Sequence, residues 1–181
     1  MKKILIVIVL MLLAGAGVWL ILNRTSAKTY TSEKLGVSFE YPAGYLINEV
    51  DASTGQRNRY SIVLIEDTPS NRDFIAGKML NTDAPPTITI SIYQNNLDHY
   101  TLEGFVKSTS FSNFKLSDDK LNETMVAGEP ALHYRATGLW ENENVVVARP
   151  DFVYMFTVFF ANPSDKITSD FETILQSVLF H

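Results

Sequence analysis

The chain of 181 residues contains no cysteine. That excludes disulfides, thiol catalysis, thiolate metal sites and a lipoprotein anchor built on an acylated cysteine. Histidine is scarce, with three in all: His99, His133 and His181. None lies four residues from another, so the helical spacing of a metal pair is missing. No G-x-S-x-G elbow, S-x-x-K pair, phosphate-cradling glycine loop or EF-hand pattern occurs. Beyond residue 28 basic charge is also short. Lys2, Lys3, Arg24 and Lys28 all precede Thr29, leaving 11 basic residues against 20 acidic ones, a net charge of −9. Such a surface repels nucleic acid and anionic headgroups, and nucleic acid is not an expected partner.

What is present falls into two parts, residues 1–28 and 29–181. Lys2 and Lys3 precede an uninterrupted apolar run from Ile4 to Leu22. At the helical rise this run spans roughly 28 Å, about the hydrocarbon thickness of a bilayer. In lipid the backbone must satisfy itself, so the run predicts one transmembrane helix, with Ile4, Leu10 and Leu22 as apolar contacts and Trp19 near the interface. A cleaved secretory signal is the rival reading, but this run exceeds the roughly 7–15 residues of a signal core. The Lys-Lys start favours an amino terminus inside, which places the globular domain outside the cytoplasm.

Residues 29–181 suit one core, with no repeat and no dividing linker. Thr29–Thr31, Val37–Tyr41, Tyr45–Val50 and Tyr60–Ile65 read as strands. The long segment Glu66–Pro86 is punctuated by Pro69, Pro85 and Pro86, with a short helix expected over Asn71–Leu80. Thr87–Tyr93 alternates Ile88, Ile90 and Ile92 with Thr89, Ser91 and Tyr93, the period of a strand. Thr101 offers the cap of a helix carrying Leu102, Phe105 and Val106, ending before Phe114. Strands follow at 122–126, 131–139 and 145–149.

Over Asp151–Ala161 both strand faces are apolar: Phe152, Tyr154, Phe156, Val158 and Phe160 on one, Val153, Met155 and Phe159 on the other. A strand of that kind is central and covered on both sides. Asn162-Pro163 reads as a cap and first helical position, opening a helix that presents Ile167, Phe171, Ile174, Leu175 and Val178. The expected class is α+β, a mainly antiparallel sheet with helices on both faces.

Four segments add a resemblance. Gly36-Val37-Ser38-Phe39-Glu40-Tyr41-Pro42-Ala43-Gly44-Tyr45 is similar to the "GFSF-x-YP-x-x-W" opening of PsbP-like and Mog1-like domains. Leu102-Glu103-Gly104-Phe105-Val106 resembles their first helix, and Val126-Ala127-Gly128-Glu129-Pro130-Ala131 their "V-x-G-x-P-A" turn. Phe171 to Phe180 resembles their "F-x-x-I-L-x-S-F-x-F" ending, with Val178 where an aromatic is usual. Tyr45 takes the tryptophan position. The resemblance implies an α/β/α sandwich and a mostly non-enzymatic family acting by docking, PsbP in photosystem II and Mog1 on a small GTPase. It carries over no functional residue.

No catalytic residue, metal ligand or cofactor emerges. His133 alternates with Leu132 and Tyr134 as a satisfied or solvent-facing strand histidine. The acidic pairs Glu66-Asp67, Asp118-Asp119 and Glu141/Glu143 are expected in turns as solvated charge. The candidate partner contacts are Phe74, in the long segment, and Trp140, near a hairpin tip. Phe74, Ile75 and Leu80 packing as a flap, and Trp140 packing at an edge, are the alternatives. The leading expectation is a non-catalytic interaction module on a membrane, docking a protein partner or assisting envelope assembly. A small-ligand or ion-binding domain and a hydrolase without signature are the competing ones.

Overall fold

The computed structural model describes residues 27–79 and 83–181. The anchor residues Ile4, Leu10, Trp19 and Leu22 lie outside them, as does Leu80. Among the described residues no helix is long and apolar enough to cross a membrane.

The organising strand is the one apolar on both faces, β9 (Phe152–Phe160). It stands fourth in a seven-stranded antiparallel sheet of order β3-β4-β5-β9-β8-β7-β6. The other strands are β3 (Tyr45–Asp51), β4 (Arg59–Glu66), β5 (Ile88–Gln94), β6 (Asn122–Val126), β7 (Glu129–Thr137) and β8 (Glu141–Ala148). Because side chains alternate across a strand, β9 feeds two cores. Tyr154, Phe156, Val158 and Phe160 join Ile62, Leu64, Ile88, Ile90 and Ile92 on one face. Val153 and Met155 join Tyr93, Leu132, Tyr134 and Val146 on the other.

Two layers close the first face. One is a second sheet, in which β2 (Val37–Pro42) pairs with both β1 (Ala27–Ser32) and β10 (Leu179–Phe180). The other is the terminal helix α3 (Lys166–Ser177), which buries Ile167, Phe171 and Ile174 at helical spacing and packs on β2 and β9. Polar contacts lock these layers together. The Tyr154 hydroxyl donates to Leu35 O at 2.8 Å, and Ser177 Oγ accepts from Glu40 N at 2.9 Å. Tyr45, in the tryptophan position of the resemblance, donates its hydroxyl to Asp170 Oδ2 of α3 at 2.8 Å. Lys166 also holds that carboxylate, which is buried on the core side of the helix. Burial, reinforced by Asp170, keeps the Tyr45 phenol well above its ordinary range.

The second face is served by α2 (Leu102–Ser108), capped by Thr101 Oγ1 accepting from Gly104 N at 3.1 Å. Helix α2 places Phe105 and Val106 in the core and packs on β7 and β8. The Tyr134 hydroxyl donates to Ser112 O and ties down the following loop.

Several expectations are corrected. The short helix of the long segment, α1, is Pro69–Ile75, starting two residues before Asn71 because Thr68 caps it and Pro69 takes its first turn. The terminal helix starts at Lys166, not Pro163; Asn162 N donates instead to Asp165 Oδ2, forming a turn before the helix. Glu141 and Glu143 lie in β8, not in a turn, since the β7–β8 connection is only residues 138–140. The expected single sheet is two, and β10 was not foreseen.

The β6–β7 hairpin turns on Ala127 and Gly128, both at positive φ, 51° and 82°. Two-residue hairpin turns of this hand favour asparagine or glycine first, and an alanine there bears a Cβ penalty of about 1 kcal/mol. Replacing Ala127 with Gly should raise the melting temperature by about 2–4 °C; an unchanged or lower value would argue against strain at this turn. Tyr45→Phe, which removes a hydrogen bond to a charged group, should cost about 2 kcal/mol in urea unfolding. A neutral result would mean Lys166 alone suffices for Asp170.

Candidate functional site

The α2 face of the large sheet is only partly covered. Strand register sets out what the remainder presents. One cross-strand row runs Arg59, Tyr93, Val153; the next runs Val50, Ser61, Ser91, Met155; the next Val63, Thr89, Thr157. Small hydroxyl residues thus occupy the middle of the face, with bulky side chains around them. The result is an open trough of about 370 Å³ over β3, β4, β5 and β9. Val50 and Phe111 stand exposed at its rim, 42% and 41% accessible.

Arg59 sits at one end, where the trough meets a smaller pocket of about 160 Å³. Its guanidinium carbon lies 5.1 Å from the Tyr93 ring centroid and 5.5 Å from that of Phe111, two cation–π contacts that fix the side chain. The rings themselves pack at 4.9 Å. Burial raises the Tyr93 phenol, with the Arg59 charge acting in opposition. In the smaller pocket, Arg57 forks onto Asp98 through bonds of 2.8 and 2.6 Å. Strand β4 brings Arg59 to this end, the turn before it, closed by an isolated Thr54–Arg57 bridge, brings Arg57, and the Asn95–Tyr100 turn brings Asp98. Asn95, itself buried, shapes that turn by bonding Tyr100 N at 2.7 Å and Arg149 O at 2.9 Å.

Deeper in the same face, Thr157 Oγ1 donates to Asn144 Oδ1 at 2.9 Å, and Asn144 Nδ2 donates to Asn142 Oδ1 at 2.7 Å. Asn144 is fully buried. This chain of amides and hydroxyls satisfies polar groups in the sheet where apolar packing ends.

Other clefts carry less. One of about 700 Å³ lies between α2 and β6–β7; of its charged groups Glu103 and Lys107 pair with each other, and Glu123 is exposed. A groove of about 260 Å³ beside α3 contains His133 and Glu143. Their Nε2 and Oε2 are 3.6 Å apart, too long for a hydrogen bond but close enough that His133 holds the Glu143 carboxyl below its usual range. His99 is exposed at φ 48°, and His181 Nε2 lies 3.1 Å from Ser38 Oγ. The structure therefore separates the three histidines. Asp67 pairs with Arg72, Asp118 with Lys120, and Glu141 with Arg135. Among the described residues no group of three acidic or histidine side chains could hold a metal ion.

Phe74 lies half-buried on α1, a helix with no buried residue, and Ile75 is 44% exposed. Trp140 is also half-buried, its indole nitrogen shut off from solvent without a partner. The exposed side chain of that turn is Leu139, 84% accessible. Neither Phe74 nor Trp140 lines the trough. Sequence reasoning missed Arg59 and Phe111; the available signal was the run of small hydroxyl residues opposite the isoleucines of β5.

No family model and no curated protein matches the chain in sequence. Solved structures do. Cyanobacterial PsbP (CyanoP) from Synechocystis sp. PCC 6803 superposes with a TM-score of 0.53 at 16% identity, over 86% of this chain and 93% of that one. A protein from Bacteroides thetaiotaomicron VPI-5482 matches with a TM-score of 0.50 at 9% identity, again over 86% of this chain but about half (49%) of its own. At these identities the likeness concerns fold alone. The two antiparallel sheets, the terminal helix and the order of elements make this a domain of the PsbP-like fold.

Proposed function

We propose that the chain is a non-catalytic interaction module, held on a membrane by residues 4–22, whose domain docks a protein partner outside the cytoplasm. The observation that carries this reading is the open half of the large sheet. A sheet face flanked by exposed Val50 and Phe111, beside a half already covered by α2, is a surface that a second layer would complete. The trough lies open across β3, β4, β5 and β9, which suits a polypeptide better than an enclosed small molecule. Its volume alone falls within the range of small-ligand sites, and ligand binding is the second reading.

The apolar run supports the anchor. It ends at Leu22, and β1 starts at Ala27, so four residues join the two. Such a linker reaches at most about 14 Å, keeping the domain against the bilayer surface. The net charge of −9 on the domain opposes adhesion to anionic headgroups and leaves its faces free.

Two measurements test this. The chain lacks cysteine, so Ser53→Cys, at an exposed position in the β3–β4 loop, can be labelled uniquely. In intact cells a membrane-impermeant maleimide should label the full-length, membrane-bound chain. Labelling only after lysis would place the domain in the cytoplasm and overturn the topology. Val50→Cys carrying a benzophenone should give a discrete photo-adduct in native membranes, absent from a control probe at exposed Asp119. Adducts of equal yield from both positions, or none from Val50, would remove the trough as the docking face.

A further inference from the structure

The described arginines are paired with carboxylates, with one exception. Arg57 faces Asp98, Arg72 faces Asp67, Arg135 faces Glu141 and Arg149 faces Glu129. Among the described residues no carboxylate pairs with Arg59. Residues 1–26 and 80–82 contain no acidic side chain that could supply one. In a chain with 20 acidic residues against 15 basic, an arginine without a partner is conspicuous.

Its surroundings make it more so. The Arg59 Nε is sealed from solvent with no hydrogen-bond partner. Leaving such a donor unsatisfied is unfavourable, and it is tolerated where a ligand or a compensating group restores the balance. Tyr93 and Phe111 hold the guanidinium in place, so little side-chain freedom remains to be lost on binding. Asp98, the nearby acid of the pocket, is already occupied by the Arg57 fork.

Resting on the docking reading above, we infer that the Arg59 pocket is the specificity subsite of the trough, accepting one carboxylate from an aspartate or glutamate side chain of the partner polypeptide. The pocket volume of about 160 Å³ admits a side chain of that size and little more. With the Arg57–Asp98 pair beside it neutral overall, the single unpaired guanidinium balances one negative charge and leaves a phosphate dianion half uncompensated. The floor of Ser61, Thr89 and Ser91 offers hydroxyls to the polar groups of the segment that carries the acid. Specificity follows from the rest of the surface. At −9 the domain as a whole disfavours an acidic partner, so a pose that seats a carboxylate on Arg59 gains over poses on its acidic faces.

The test uses the full chain, ¹⁵N-labelled, in phosphatidylcholine nanodiscs, with the Arg59 Nε–H resonance as readout. The probes are a capped Leu-Ala-Glu-Ala-Leu pentapeptide, the same peptide with Gln for Glu, and inorganic phosphate. The Glu peptide should move the resonance saturably, with a midpoint at least tenfold lower than that of either other probe. Arg59→Gln should abolish discrimination between the two peptides, and Arg59→Lys should retain part of it; melting curves like that of the wild type show that both variants fold. Equal midpoints for the two peptides, no saturable shift with the Glu peptide, or preference for phosphate would overturn the subsite. The photo-adduct at Val50→Cys separates the two levels of the argument. If it persists undiminished in Arg59→Gln, docking at the trough stands and the carboxylate subsite falls. If it never forms while the Glu peptide still binds, the subsite stands and the larger docking reading falls.

Discussion

A strand that buries both faces dictates the rest of this fold. Strand β9 carries aromatic and branched side chains to either side, and each fully buried one contributes about 1.5–3 kcal/mol only if something covers it. On one side the cover is generous, with α3 and a three-stranded sheet sharing one continuous core. On the other it is thrifty. Helix α2 is seven residues long and covers β7 and β8. The unequal supply of covering layers, acting on a strand that needs both, leaves β3, β4 and β5 with an open face.

The open face is adapted to being open. One row shrinks and turns polar toward the middle, from Met155 to Ser91 and Ser61, and the next carries Thr157 and Thr89. The buried Asn142–Asn144–Thr157 relay marks where covered core gives way to this wetter surface. By contrast Ile62, Leu64, Ile88, Ile90 and Ile92, on the opposite side of the same strands, are completely buried. The single strand β5 thus reads differently on its two faces because its neighbours do.

Much of the scaffold was legible in the sequence. The double-faced pattern of β9, the alternation of β5, the Thr101 cap and the apolar stripe of α3 each follow from one local periodicity. The terminal helix was misplaced at its start because Asn-Pro fits a cap equally well as a turn, and only the bond from Asn162 N to Asp165 decides between them. Strand β10 is two residues long, too short for any period to show. The trough was hardly legible, since it depends on which strands are neighbours. Arg59 and Tyr93 are opposite each other through β4–β5 pairing, and Phe111 arrives from a loop after α2. The hydroxyls of β5 beside Tyr93 hint at an open face, but nothing near Arg59 or Phe111 in sequence marks the cluster, and Phe74 and Trp140, chosen as aromatics in loops, lie away from it.

Strand β1 joins the described fold to the chain before it, and its geometry governs how a pull would be borne. Ala27 is the strand end farthest from the β1–β2 turn, and the ladder runs through six residue pairs, from Ala27 opposite Pro42 to Ser32 opposite Val37. Tension along the strand axis therefore loads the whole ladder in shear, with all pairs resisting together. A pull across the axis would peel them one at a time. Beyond β2 the load passes to β10 and to α3, which grip the same strand. The small sheet is a mechanical coupling as well as a lid, and it takes up a force from the amino-terminal side before that force reaches the sheet that bears the trough.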